Sequence, residues 1–214
     1  MLPEERQMLA GVEVHGMTRG AFLVRGALGA CAAYGAASVG PWVTRALARP
    51  AFASDSDVLN FALTLEYLEA KFYAQALQRI NLSSEYKPLA ELLASDEAAH
   101  VTALKALIPK VGGSPISSPI FQFDSVLKNQ ATFLATSQML EDTGVGAYAG
   151  AAPLVQSPEV LGAAGAIVQV EARHAAAIRL KRGQDPFPDA FNPALNKQEV
   201  LARAMPLVRT APVS

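Results

Sequence analysis

The 214-residue sequence has a single cysteine, Cys31, and three histidines. One thiol excludes an internal disulfide framework, and there is no CxxC pair for a zinc site. Only 17% of the residues are charged, and 18 basic against 19 acidic side chains leave a net charge of -1. No basic surplus points to nucleic acid, and no acidic run points to a solvated tail. Apolar residues make up 51%, which excludes global disorder. No segment alternates apolar and polar residues for long, so little strand is expected. What remains is a chain long enough for one ordinary domain with a real core, plus an appendage.

Residues 1–53 form that appendage. They hold five arginines, no lysine and three glutamates, whereas residues 54–214 hold 13 basic and 16 acidic side chains. Gly26 to Thr44 is a 19-residue uncharged run rich in Ala and Gly, flanked by Arg19 and Arg25 before it and Arg45 and Arg49 after it. Ala51-Phe52-Ala53 then gives a small-x-small cleavage pattern ahead of the polar Ser54 to Asp57. A charged start, an apolar middle and such a site describe a secretory signal. Thr18, Arg19, Phe22 and Leu23 resemble a twin-arginine export signal, with Gly20 standing where the second arginine belongs. Met17 is an alternative start, and His15 receives no role. Two further readings compete. A transmembrane anchor is weakened by few large apolar side chains and by Pro41. A lipoprotein box at Leu28-Gly29-Ala30-Cys31 would make Cys31 a lipidated N-terminus. A buried N-terminal helix is the plain structural alternative. The export reading places the protein in the periplasm or cell envelope, with membrane association through this segment as its corollary.

The rest reads as four helices. Helical spacing of Ala62, Leu65, Phe72, Tyr73, Ala76 and Leu77 predicts a first helix over 57–81, with Asp55 or Ser56 as its cap. A second, over about 84–111, follows Ser83-Ser84 and carries Leu93, Glu97, His100, Leu104 and Leu107 on one stripe. Gly112-Gly113 stops it, and two prolines forbid helix in the next loop. Asp124 can cap a third helix running to about 152, and a fourth occupies about 158–182. The first and last links are short, which makes antiparallel neighbours. The middle link is about 12 residues and can span about 40 Å. A 25-residue helix is about 37 Å long, so the link can run the length of a bundle. The expected fold is all-α, a four-helix bundle with one long crossover over 54–183. The Pro-rich tail at 184–214 should wrap the surface, with a short helix near 196–205.

Both histidines outside the leader follow a glutamate by three residues, in Glu97-Ala98-Ala99-His100 and Glu171-Ala172-Arg173-His174. With 12 glutamates in 214 residues, chance gives this about once in 300, so the motif carries weight. The other two helices contain LEYLEAKFY and LEDTGVGAY, which pair Glu66 with Glu141 and Tyr73 with Tyr148. The chain therefore repeats a helix with Glu and then a helix with Glu-x-x-His. Positions i and i+3 share a helix face, so Glu and His there can reach one metal ion. Four carboxylates and two imidazoles converging in a bundle core balance two divalent ions. Without ions, four acids in a low-dielectric core are costly unless several stay protonated. Such a donor set suits iron or manganese better than copper, and zinc can also bind.

This pattern, with the wording LNFALTLEYLEAKFYAQAL, DEAAHV, LEDTGVGAYAGAAPLV and VEARHAAAIR, resembles the ferritin-like superfamily of di-iron carboxylate proteins over about residues 55–182. Within it, the segments are similar to exported bacterial ferritin-like proteins related to plant desiccation-related proteins. The resemblance implies a ferritin-like four-helix bundle with a di-metal centre. It implies bridging roles for Glu97 and Glu171, terminal nitrogen ligation by His100 and His174, and terminal carboxylates at Glu66 and Glu141. Glu69, whose repeat partner is Gly144, is an additional ligand, an acid supporting a ligand, or a salt-bridge partner of Lys71 or Arg79. Tyr73 and Tyr148 are hydrogen-bond donors to carboxylates, redox-active phenols, or plain core. Arg173 and Asp142 either support the ligands or lie at the surface. Gly144 and Gly146 either open a path for a small oxidant or allow close helix packing, the latter being favoured.

Two classes of function follow. The first is a di-iron or di-manganese oxidoreductase or metal-handling protein, with a small inorganic substrate or oxidant as its partner and no nucleic acid. Ferroxidation, peroxide removal and catalase-like disproportionation all fit. The second is a non-enzymatic desiccation- or stress-related envelope protein whose metal is a structural clamp. A storage cage fits less well because of the Pro-rich tail, and the oligomeric state stays open.

Overall fold

A computed structural model of the chain describes residues 52–209. The leader-like segment, with His15, Met17, Cys31 and Pro41, lies outside the described residues. Four long helices carry the fold: α1 (Asp55–Arg79), α2 (Lys87–Leu107), α3 (Gln130–Ala151) and α4 (Pro158–Lys181). A short α5 (Lys197–Ala204) follows. No strand occurs among the described residues, only an isolated bridge between Phe121 and Val208. No helix among them is long and apolar enough to cross a membrane.

Local chemistry sets the helix ends. Ser54 caps α1, accepting from the Asp57 N–H at 3.2 Å, just ahead of the expected Asp55 or Ser56. Asp55 instead accepts from the Gln156 and Ser157 N–H groups at 2.9 and 2.7 Å, tying the start of α1 to that of α4. Ser157 caps α4 with Pro158 in its first turn, where a missing N–H costs nothing. The third helix begins five residues later than Asp124 predicts. Asn129 and Thr132 form a reciprocal capping box there, while Asp124 is taken up by Arg79 at 2.5 Å. The second helix likewise starts at Lys87, after Tyr86, rather than near Ser84. The chain tightens into a 3-10 turn over Ile108–Val111 and stops at Gly112, whose φ of 82° is left-handed.

α1 packs chiefly on α2, and α3 on α4. Phe72 of α1 stacks on Phe133 of α3 at 5.6 Å and meets Phe123 of the crossover edge-on at 5.5 Å. These rings join the two helix pairs and pin the long link to the core. The tail does more than wrap the surface. Ala194, Leu195, Val200, Ala204 and Leu207 are all buried. Its backbone bonds to α3, Leu195 N–H to the Gly146 carbonyl at 2.9 Å, and to the crossover, Gln122 N–H to the Leu207 carbonyl at 2.9 Å.

Candidate metal centre

The six acids and imidazoles singled out by the repeat come together midway along the bundle. Glu66 on α1, Glu97 and His100 on α2, Glu141 on α3, and Glu171 and His174 on α4 are all buried. Helical spacing does this: the α2 stripe of Leu93, Glu97, His100, Leu104 and Leu107 is buried along its whole length. Ligand atoms fall into two overlapping groups, each within 4.8 Å of one another: Glu66, Glu97, His100 and Glu171, and Glu97, Glu141, Glu171 and His174. Glu97 and Glu171 belong to both groups.

The contacts are close but poorly satisfied as hydrogen bonds. His100 Nδ1 lies 2.9 Å from Glu97 Oε2, 3.1 Å from Glu66 Oε2 and 3.0 Å from Glu171 Oε1. One ring N–H cannot serve three acceptors. His174 Nδ1 lies 3.0 Å from Glu97 Oε1 and 3.2 Å from Glu141 Oε2. Neither contact is aligned as a hydrogen bond, and those three atoms, with both Glu171 oxygens, are buried without a hydrogen-bond partner. Buried polar atoms rarely stay unpaired, because each costs about 1–3 kcal/mol. A tight cluster of buried ligand atoms, several without a partner, is what an ion needs. The residues present therefore fit a metal group.

The two tyrosines are donors to this cluster. Tyr73 O–H donates to Glu141 Oε1, and Tyr148 O–H donates to Glu66 Oε1 at 2.5 Å. Each terminal glutamate thus has one oxygen held by the tyrosine of the opposite helix and the other turned toward a histidine. Glu69 is 2% exposed and stands outside both ligand groups. Lys71 is exposed, and Arg79 is engaged by Asp124, so the surface salt-bridge reading is set aside. The absence of a side chain at Gly144 makes room for Glu69: a Cβ there would stand 3.5 Å from Glu69 Oε1 and 3.3 Å from Glu171 Oε2.

Burial dominates the electrostatics. It pushes Glu66 up to about 8, with Glu171 and Glu97 adding to the rise and a hydrogen bond from His100 opposing it. Burial also holds Glu69 and Glu141 well above the usual carboxylate range. For Glu97 burial acts upward too, but the His100 and His174 imidazoles and the Glu66 carboxyl beside it outweigh it and bring the group down to about 2. Burial disfavours the charged histidines, yet the carboxylates around them raise His100 to about 12 and His174 to about 11. Without ions the cluster is a store of protons shared among acids and imidazoles.

Several residues behave differently from expectation. Arg173 is exposed and Asp142 pairs with Arg179 at 2.5 Å, so neither supports a ligand. Gly146 faces Leu195 of the tail, with a Cβ position only 2.5 Å from Leu195 Cγ. It therefore serves neither an oxidant path nor helix–helix contact. Asp96 was missed: its Oδ2 lies 3.1 Å from His174 Nε2. The signal was present as a mismatch in the repeat, Asp before Glu97 but Val170 before Glu171. A small apolar cleft is lined by Val58, Leu59, Ala62, Leu65, Tyr148 and Val160, among others. Tyr148, a hydrogen-bond donor to Glu66, is one of its lining residues.

No curated protein matches this chain. The ferritin-like domain family matches residues 54–184, from the α1 cap to just past α4, and the chain belongs to that family.

Proposed function

We propose that this ferritin-like chain is a di-metal carboxylate protein, carrying two iron or manganese ions and reacting with oxygen or peroxide, or oxidising bound iron, in a stress-related role. The observation that carries this reading is the convergence of buried ligand atoms from four helices into two overlapping groups, with five of those atoms, on Glu97, Glu141, Glu171 and His174, lacking a hydrogen-bond partner. Glu66 and His100 would hold one ion and Glu141 and His174 the other, with Glu97 and Glu171 within reach of each. Bound there, such ions would supply redox chemistry toward oxygen or peroxide.

The chain's own residues do the rest. Tyr73 and Tyr148 fix the terminal carboxylates, so their free oxygens stay aimed inward. Leu63, Leu68, Leu93 and Leu104, each buried, exclude bulk water. The apolar cleft beside Tyr148 suits a small apolar molecule such as dioxygen. The test is anaerobic loading with iron(II), followed by mixing with oxygen or peroxide while absorbance and oxidant are followed. Oxidant consumed in proportion to bound metal supports the reading. A bound-metal spectrum indifferent to both oxidants contradicts it.

One observation favours a second reading, a non-enzymatic desiccation- or stress-related protein with a structural metal clamp. The ligands come from all four long helices, so ions there would tie the bundle together. A clamp shows the indifferent spectrum and a large stability loss on stripping.

Export to the periplasm or cell envelope is proposed from residues 18–57 alone. Mass analysis of the protein isolated from its host should find an N-terminus near Ser54. A full-length chain retained in the cytoplasm would contradict export.

A further inference from the structure

The repeat that builds the centre is broken at one position beside a histidine. His174 is held at both ring nitrogens: Nδ1 faces Glu97 Oε1 and Glu141 Oε2, and Nε2 lies 3.1 Å from Asp96 Oδ2. His100 faces Glu66, Glu97 and Glu171 through Nδ1. No described residue partners its Nε2, and its side chain is 10% exposed. The residue matching Asp96 in the repeat is Val170, which offers no acceptor.

A carboxylate behind a ligating imidazole does two things. It fixes the tautomer that keeps the proton on the far nitrogen and leaves the near lone pair free for an ion. It also orients the ring and raises its basicity. Among the described residues, His174 has this support and His100 does not.

We propose that the two metal positions are unequal and fill in order, the Glu141–His174 position first, with Asp96 as the positioning residue that sets the order. This rests on the di-metal reading above. Where the support exists the ligand is preorganised for the ion. At His100 the ring must settle its tautomer and orientation as the ion arrives. Asp96 has a side chain 35% exposed, so replacing it leaves the buried core intact.

The experiment is an anaerobic manganese(II) titration of the full chain, counting free ion by its electron paramagnetic resonance signal. Two binding steps are expected, the first at least about tenfold tighter. Asp96→Asn should weaken the tight step by about 10- to 100-fold and leave the weak one in place. His174→Ala should remove the tight step, and His100→Ala the weak one. Val170→Asp, which supplies the missing carboxylate, should tighten the weak step, an effect no purely structural role for Asp96 explains. Two steps of equal affinity overturn the proposal, as does an unmoved first step in Asp96→Asn or loss of the tight step in His100→Ala. Each of these leaves the di-metal reading standing. Failure of the wild-type chain to bind manganese, iron or cobalt overturns both.

Discussion

Each terminal glutamate depends on one tyrosine. Tyr73 and Tyr148 are the hydrogen-bond donors to the outer oxygens of Glu141 and Glu66. Removing a hydroxyl leaves a buried carboxyl short of a partner, so Tyr73→Phe should cost the metal-free protein about 1–3 kcal/mol in urea unfolding. An unchanged midpoint would show that the hydroxyl is dispensable. The protonation pattern gives a second prediction. Glu66, raised to about 8, binds more proton folded than unfolded above its ordinary 4.5. The same sign holds for His100 and His174, raised to about 12 and 11 from 6.5. Their stabilisation is complete below the unfolded values and is lost as pH rises through the folded ones. Glu97, lowered to about 2, acts oppositely, losing its contribution only as pH falls below 4.5. The metal-free protein should therefore lose stability as pH rises from about 4.5 toward about 12, read between pH 6 and pH 9 as a falling urea midpoint. Metal uptake over that range should release protons and strengthen as pH rises, because the ligands must be deprotonated. A flat midpoint contradicts the proton-sharing core. The six central residues were legible because i and i+3 spacing and the repeat both mark them. Asp96 was not, because an acid one residue outside a motif looks like any half-exposed helix residue until the facing helix is known.

At the scale of elements, α3 is shaped by glycine to receive the tail. A Cβ on Gly150 would stand 1.9 Å from the Leu195 carbonyl oxygen, a backbone atom that cannot step aside. Gly150→Ala should thus push the tail from α3 and cost about 1–3 kcal/mol, with easier proteolysis after residue 183. Gly162 in α4 has nothing within 4 Å of its Cβ position. Gly162→Ala should stabilise by about 0.5–1 kcal/mol through helix propensity alone. Equal effects in urea unfolding would refute the docking account. The helices themselves were readable from periodicity, with α4 correct within a residue at each end. The start of α3 was not, because Asp124 and Asn129 are both competent caps and the ion pair with Arg79 decides between them. Tail docking was invisible for a different reason. It joins residues 45 apart through a carbonyl oxygen and a missing side chain, and neither leaves a periodic trace.

For the whole molecule, the bundle is held from outside by packed rings and leucines, while its centre concentrates acids that a core normally excludes. The repeat made the bundle and its crossover legible, since short outer links and a long middle one admit few topologies. The central claim is that this acidic centre exists to hold metal. The most direct measurement is elemental analysis of the full chain after separate anaerobic loading with iron(II) and manganese(II), beside a Glu97→Ala/Glu171→Ala variant. The account predicts about two ions per chain for the wild type and none for the variant, with both folded by circular dichroism. A stable bundle that retains no ion under either loading would contradict it, leaving the six residues as a proton-sharing polar core.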